Sequence, residues 1–550
     1  AALARVVADR CAGSLYDVLR LAVPPRHARV EAEPAGEPAA APEVPEPGSW
    51  ERYANGPSYL GALGQGAPRA VWSALPGPTW PVEVATAVRT AVAAGRGALV
   101  VVPDARDAAR VGAAVGELPY VELRADLGPA ERYRRWLRVL RGEVRVVVGT
   151  RAAAFAPVRD LGLVVLWDDG DDLLAEPRAP YCHAREVLVH RAHLEGTAVL
   201  VGGFARTAEG QLLVESGWAA ELRADREVVR ATAPRVVGTS EEDLARDPAA
   251  QAARLPHLAF EAAREALAVG APVLVQVPRR GYVPSLVCQR DRTPARCPAC
   301  AGPLGATSGH AVASCRWCGR IAGDWRCPTC EGRQLRASVV GARRTAEELG
   351  RALPGVPVRT SGRDEVLASV PAERALVVAT PGAEPVAEGG YGAVLLLDAW
   401  ALLSRADLRA GEEALRRWLA AAALARPATE GGRVVVVADH ALAPVQALVR
   451  WDPEGAAARE LADRAALGFP PATRMVAVSG SARAVADVVE AVGPAEVLGP
   501  VPEGEGERAY LRVPRTESAE LLAALRTVLA TRSAHKAEGV RVQVDPPTLA

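Results

Sequence analysis

At 550 residues the chain is too long for one hydrophobic core and calls for about three or four domains. Its composition is globular, with 49% hydrophobic and 24% charged residues, and no apolar run approaches the ~18 residues a membrane span needs. The 65 basic and 65 acidic side chains cancel, so no global field favours nucleic acid, and residues 1–20 lack the basic-then-apolar order of a secretory signal. A cytoplasmic protein without a membrane partner is expected. The sequence starts at Ala1 rather than at a methionine, so a missing N-terminal segment is also expected. Lys536 is the only lysine, a bias towards Arg and Ala that coding preference explains.

Residues 1–32 read as the end of a helical module, and "EPAGEPAAAPEVPEPG" (33–48) reads as an extended, solvated linker. From residue 70 to about 235, apolar runs alternate with helical stretches. "ALVVV" (98–102), "VRVVVG" (144–149), "LVVLW" (163–167) and "TAVLVGG" (197–203) predict buried strands, and "PVEVATAVRTAVAAG" and "PAERYRRWLRVLRG" predict helices. Such alternation indicates a parallel α/β sheet. It returns with "PVLVQV" (272–277), "ALVVAT" (375–380), "AVLLLD" (393–398) and "RVVVVAD" (433–439). The fold class is therefore α/β, with two lobes. Residues 451–550 alternate strand-like and helical segments and predict a small α+β domain. The expected divisions are 1–50 (helical remnant and linker), 51–235 (first lobe), 236–285 and 333–450 (second lobe), 286–332 (a cysteine-rich insertion) and 451–550 (C-terminal domain).

Seven of the nine cysteines crowd into residues 288–330. In a cytosolic protein, paired spacing of this kind argues for metal thiolates rather than disulfides. A Cys-x-x-Cys turn places two thiolates on one metal, and zinc takes four ligands in a tetrahedron. Cys297, Cys300, Cys315 and Cys318 complete one such site. Cys288, Cys327 and Cys330 flank it and form a nested second site, one ligand short. Asp291 stands at the x-x position after Cys288 and is the favoured fourth ligand, with His310 as the alternative, so this outer site should bind more weakly. Two zinc ions are expected. Unpaired buried thiols would not explain three Cys-x-x-Cys spacings in 34 residues. Cys11 and Cys182 stand apart and read as buried thiols. Structural zinc holds together a loop-rich segment too small for its own core, which points to recognition rather than chemistry.

Two α/β lobes with a nested double-zinc insertion early in the second resemble the PriA family of primosomal replication-restart DNA helicases. The local sequence agrees in order along most of residues 60–550. "VVVGTRAAAFAPVRDLGLVVL" (146–166) is similar to the family's strand and "GTRSALFAP" segment. "YCHAREVLVHRAHLEG" (181–196) and "RRGYVPSLVC" (279–288) are similar to its "YHARD" segment and to its approach to the zinc module. "GFPPATRMVAVSG" (468–480), "VLGPVP" (497–502) and "VRVQVDP" (540–546) resemble its C-terminal domain. The resemblance implies two RecA-like helicase lobes. It also implies forked or single-stranded DNA as a ligand, and primosome proteins as partners: single-strand-binding protein and the replicative helicase or its loader.

The departures concern the motor. The family's G-x-G-K-T phosphate loop should lie at 75–82, where this chain reads "LPGPTWPV". Gly77 and Thr79 keep small residues, but Trp80 replaces the phosphate-binding lysine and Pro81 the Mg²⁺-binding hydroxyl, while Pro78 and Pro81 carry no N–H donor. The D-E-E-H box falls on Trp167, Asp168, Asp169 and Gly170. A shift of one residue would restore Asp168 and Asp169, and "DDGDD" also fits a solvated strand end. The coupling motif G-S-A-T-P reads "GGFAR" (202–206), and of the last motif's arginines Arg426 alone survives. No catalytic residue is assigned, and ATP is not an expected cofactor. By resemblance Arg151, Tyr181, His183 and Arg185 are candidate DNA contacts, and Arg279 and Arg280 could meet backbone phosphates. The expected function is a non-catalytic replication-restart factor. The alternatives are an active ATP-dependent helicase with a rearranged nucleotide site, or a zinc-ribbon adaptor without DNA affinity.

Overall fold

The computed structural model describes residues 1–37, 40–239, 256–278, 286–290, 293–300, 302–306, 312–315, 319–337, 342–403, 405 and 407–549. They form two compact bodies. The first comprises Ala1–Ala74, Thr79–Asp225 and Ala457–Pro547; the second comprises Leu75–Pro78, Arg226–Ala456 and Thr548–Ala550.

In the first body, β1 (Arg69–Ser73), β2 (Gly97–Val101), β3 (Tyr120–Leu123), β4 (Val146–Gly149), β5 (Leu161–Trp167), β6 (Ala198–Gly203) and β7 (Ala220–Leu222) form one sheet in the order β3-β4-β2-β5-β6-β1-β7. Every pairing is parallel. Strands β2, β4, β5 and β6 are buried along their whole length, as a sheet covered on both faces requires. Their near-continuous Val/Leu runs made them legible in the sequence. The edge strands β3 and β7 are partly exposed and carry mixed residues, and β1 is diluted by Arg69, Trp72 and Ser73. None of these three was predicted.

Helix α1 (Ala2–Arg10) and α2 (Leu15–Ala22) open the chain as a hairpin. Helix α3 (Trp80–Ala93) starts just after β1 with Pro81 in its first turn, where a missing N–H leaves no bond unmade. Helix α4 (Ala105–Val115) is capped by Asp104, whose carboxylate accepts from the amides of Arg106 and Asp107. Helix α5 (Ala184–Glu195) is capped by His183 and stops at Gly196, which takes the left-handed conformation.

The second body contains a six-stranded, wholly parallel sheet. It is built from β8 (Arg235–Thr239), β9 (Val273–Gln276), β10 (Val358–Ser361), β11 (Leu376–Ala379), β12 (Ala393–Leu396) and β13 (Arg433–Asp439), in the order β10-β11-β9-β12-β13-β8. The cysteine block lies between β9 and the helix Ala342–Ala352, an insertion within the second lobe. The C-terminal segment, part of the first body, is an antiparallel sheet of β14 (Thr473–Gly480), β15 (Glu496–Glu503), β16 (Gly506–Pro514) and β17 (Arg541–Val544), ordered β15-β16-β14-β17. Its core is closed by the helix Ala482–Val492 and by α6 (Ser518–Ala534), an α+β arrangement. The fold class is thus α/β with two parallel-sheet lobes, as the sequence predicts. Among the described residues no helix is long and apolar enough to cross a membrane.

Gly202 on β6 shows how tightly the lobe is packed, because a Cβ there would lie 2.5 Å from the Trp72 ring. Replacing Gly202 by Ala is expected to destabilise the chain by about 1–3 kcal/mol, the usual cost of overpacking. Urea unfolding of the variant checks this.

Candidate functional site

The metal candidates come first. Sγ atoms of Cys297, Cys300 and Cys315 lie within 4.8 Å of one another, and those of Cys288, Cys327 and Cys330 do the same. Cys300 and Cys315 are 3.4 Å apart and Cys288 and Cys330 3.5 Å apart. Four sulfurs ~2.3 Å from one zinc ion would stand about 3.8 Å apart, so both sets fit a tetrahedral metal. Two of the Cys-x-x-Cys turns also aim an amide at a sulfur: Ala299 N–H donates to Cys297 and Thr329 N–H to Cys327, both at 3.4 Å. Such donors favour the thiolate that a metal needs.

Local sequence explains the two knuckles. The amides of Cys297 and Cys327 each donate to the carbonyl five residues on, Gly302 and Gly332, folding the turn back on itself. Gly319 takes a left-handed conformation (φ +71°) after the Cys315–Cys318 turn, and Glu331 takes the same one (φ +57°) after Cys330. The strand Leu286–Cys288 pairs with Leu335–Ala337, setting Cys288 opposite Leu335, and Leu304–Gly305 pairs with Ser314–Cys315. The insertion's apolar cluster is small, and four of its ten buried members are cysteines. These residues could hold two metal ions. Cys318, Asp291, His310, Arg279 and Arg280 lie outside the described residues. Cys11 and Cys182 sit far from both clusters in sequence and pack into lobe 1. Burial pushes both thiols up, Cys182 to about 12.

The segments aligned with the helicase motor meet at the carboxyl edge of the lobe 1 sheet. Trp80, at the start of α3, is 2% exposed and stacks on Trp167, at the end of β5, with ring centroids 4.1 Å apart and planes 7° apart. Phe204, just past β6, meets Trp167 edge-on at 5.3 Å, and Trp72 of β1 lies 5.5 Å away on another side. The Arg110 guanidinium of α4 covers Trp80 at 5.0 Å. Aromatic rings from three strand ends and one helix start therefore pack against one another there. Gly77, with φ +125°, belongs to the preceding loop. The Thr79 hydroxyl donates to Glu83 Oε1 at 3.1 Å, and Arg52 donates to the same oxygen at 3.2 Å.

One acid of the run is equally committed. Asp169 is buried, and its Oδ2 accepts from Arg185 Nη1 at 3.0 Å and from the Thr207 hydroxyl at 3.1 Å. Arg206 donates to Ser73 Oγ at 2.9 Å, Gln211 at 3.0 Å and Glu221 at 2.6 Å. Arg426, in the second body, donates to the carbonyls of Gly389 and Gly390.

The candidate DNA contacts divide in two. Arg185 is corrected to a buried role: it is 7% exposed, ion-paired with Asp169, and has Glu186 and Glu209 within 3.9 Å. Burial opposes its charge, yet these carboxylates hold it more firmly protonated than usual. A guanidinium so placed spends its donors on protein carboxylates. Arg151 keeps part of its surface while donating to Glu176 and to the Leu173 carbonyl, both at 3.0 Å. Tyr181 is half-buried with φ +60°, and His183 Nδ1 accepts from the Arg185 amide at 3.1 Å. Sequence reasoning missed Trp72, Phe204 and Thr207. A Trp at the lysine position was the one local signal that something apolar had moved in.

Comparison with known proteins closes the identification. The chain is 52% identical over 578 residues to a protein described as a probable replication restart protein PriA from Mycobacterium leprae, covering 99% of this chain and 88% of that protein. The chain belongs to the PriA family of replication restart proteins. The probable PriA of Mycobacterium tuberculosis is likewise 52% identical, over 581 residues, with 99% and 88% covered. Residues 465–547 match the family model "Primosomal protein N C-terminal domain". Among solved structures, RecG bound to a three-way DNA junction aligns with a TM-score of 0.38 and 11% identity, over 84% of this chain and 51% of that one; a likeness this low carries no argument.

Replacing Cys297 or Cys315 by Ser is expected to lower the zinc-to-protein ratio by one, whereas C288S should spare the inner ion. Elemental analysis of the purified variants reads the difference. Unchanged zinc in all three would disprove the pairing.

Proposed function

We propose that this PriA-family chain binds forked or single-stranded DNA at stalled replication forks and helps assemble the primosome as a scaffold, without an ATP-driven motor. The observation that carries the reading is the stacked Trp80–Trp167 pair, which fills the space where the family's lysine and metal-holding aspartate would act on phosphate. A phosphate loop works through backbone amides closing on an anion, a lysine and a hydroxyl on Mg²⁺. Here Pro78 and Pro81 remove two amides, and indoles take the place of the charged groups. Asp169, one of the two acids left in the aligned box, is bound to Arg185 and Thr207.

What remains is recognition. Arg151, Tyr181 and His183 are the described residues we assign to DNA, with Arg279 and Arg280 beside the insertion. The two cysteine sets would hold two zinc ions, the outer one with Asp291 as its fourth ligand. When bound, zinc supplies a structural cross-link. The partners would be single-strand-binding protein and the replicative helicase or its loader, in the cytoplasm.

The deciding experiment measures ATP hydrolysis by the full-length protein with and without forked DNA, alongside fork affinity over a salt series. No turnover above buffer is expected, with fork affinity falling as salt rises because counterions are released. DNA-stimulated turnover, or ATP binding tighter than about 1 mM (roughly −4 kcal/mol), would overturn the reading. The double variant W80K/W167D should also stay inactive, because the prolines remain. It should lose about 3–5 kcal/mol of stability by emptying an aromatic core, which urea unfolding would register.

A further inference from the structure

We infer that the N-terminal hairpin, α1 and α2, is a clamp that fastens the C-terminal domain to lobe 1 and makes the two a single mechanical unit. The inference is independent of whether the chain hydrolyses ATP. Helix α1 packs against α5 of lobe 1 and also against α6 of the C-terminal domain. Ala4, Val7 and Ala8 of α1, with Val18 of α2, are buried in the lobe 1 core beside Val187, Leu188 and Ala192 of α5. One helix thus belongs to the core of a domain that starts some fifty residues later in the chain.

At the turn between α1 and α2 the chain changes allegiance. Asp9 and Arg526 of α6 pair at 3.5 Å, and Arg526 Nη1 also donates to the Asp9 carbonyl at 2.8 Å. Ala12, 5% exposed, takes the left-handed conformation (φ +49°) and is buried in the C-terminal core with Val476, Leu511 and Leu522. A left-handed alanine is a conformation the chain must be forced into, and packing into that core is what holds it. The next residue turns back to lobe 1. Gly13 lies so close to Pro180 that a Cβ would stand 2.8 Å from the proline Cβ, so only glycine passes there. Consecutive residues therefore touch the two domains from within one tight turn. Each domain has its own core, and the hairpin is buried in both, so opening the joint exposes apolar surface on both sides at once.

The clamp sets how the unit responds to load. Whatever engages the C-terminal sheet is held in fixed register with lobe 1, and loosening the hairpin frees one domain from the other while leaving each folded.

The test is hydrogen exchange followed peptide by peptide through a urea series, on the full-length protein. In the parent chain, unfolding midpoints for β2 and β5 are expected to coincide with those for β14 and β16. Ala12→Glu should separate them, with exchange in β14 and β16 about tenfold faster or more because a charge is forced into the core, and with β2 and β5 unchanged. Arg526→Glu acts on a more exposed pair and cannot unfold a core. It should speed exchange in α1 and α6 about threefold, and D9R/R526E should reverse the effect. Separate midpoints in the parent chain would overturn the clamp. So would coincident midpoints in both single variants, or failure of the charge swap to restore the parent pattern.

Discussion

The structure of lobe 1 depends on what occupies the space beyond the carboxyl ends of its parallel strands. In open α/β sheets this crevice is where ligands bind, because strands end there and helices begin with amides unpaired. A lobe that gave up its ligand without replacing it would leave a cavity and orphaned polar groups. This chain fills the crevice with its own side chains. Trp80 and Trp167 stack, Phe204 and Trp72 close the sides, and Arg110 covers the outer indole. The charged residues nearby follow the same logic. Asp169, Arg185 and Thr207 satisfy one another, and Arg206 bonds Gln211 and joins β1 to β7 through Ser73 and Glu221.

The insertion in the second lobe solves a different problem. Its apolar cluster is too small to carry a fold, and four of its ten buried residues are cysteines. Two nested sets of cysteines gather its interior, each anchored by a turn in which an amide points at a sulfur. The nesting ties the first strand of the insertion to its last turn, so the outer set closes the base that the inner set builds on.

How much of this could be read from sequence follows the physics of each feature. Strands covered on both faces are runs of Val and Leu and declared themselves. Edge strands such as β3 and β7, half exposed, did not. Cysteine spacing is a local signal, because a knuckle is a local turn, and it grouped Cys288 with Cys327 and Cys330 correctly. The loss of the phosphate loop was local too. What replaced it was not, because Trp72, Trp80, Trp167 and Phe204 come from separate segments that only the sheet brings together. Arg185 misled for the same reason. Its motif suggests an exposed contact, whereas its acceptor, Asp169, lies on a different element and draws it inward. The hairpin's double attachment, Ala12 to one core and Gly13 against another, leaves no trace in composition or periodicity.

The stacked indoles have one consequence that is optical rather than mechanical. Two tryptophan rings 4.1 Å apart and within 7° of parallel are close enough for their electronic transitions to couple. That coupling ends when the rings part, whatever happens to the cysteine clusters. The stacked pair thus gives the protein an intrinsic, label-free gauge of its own first lobe.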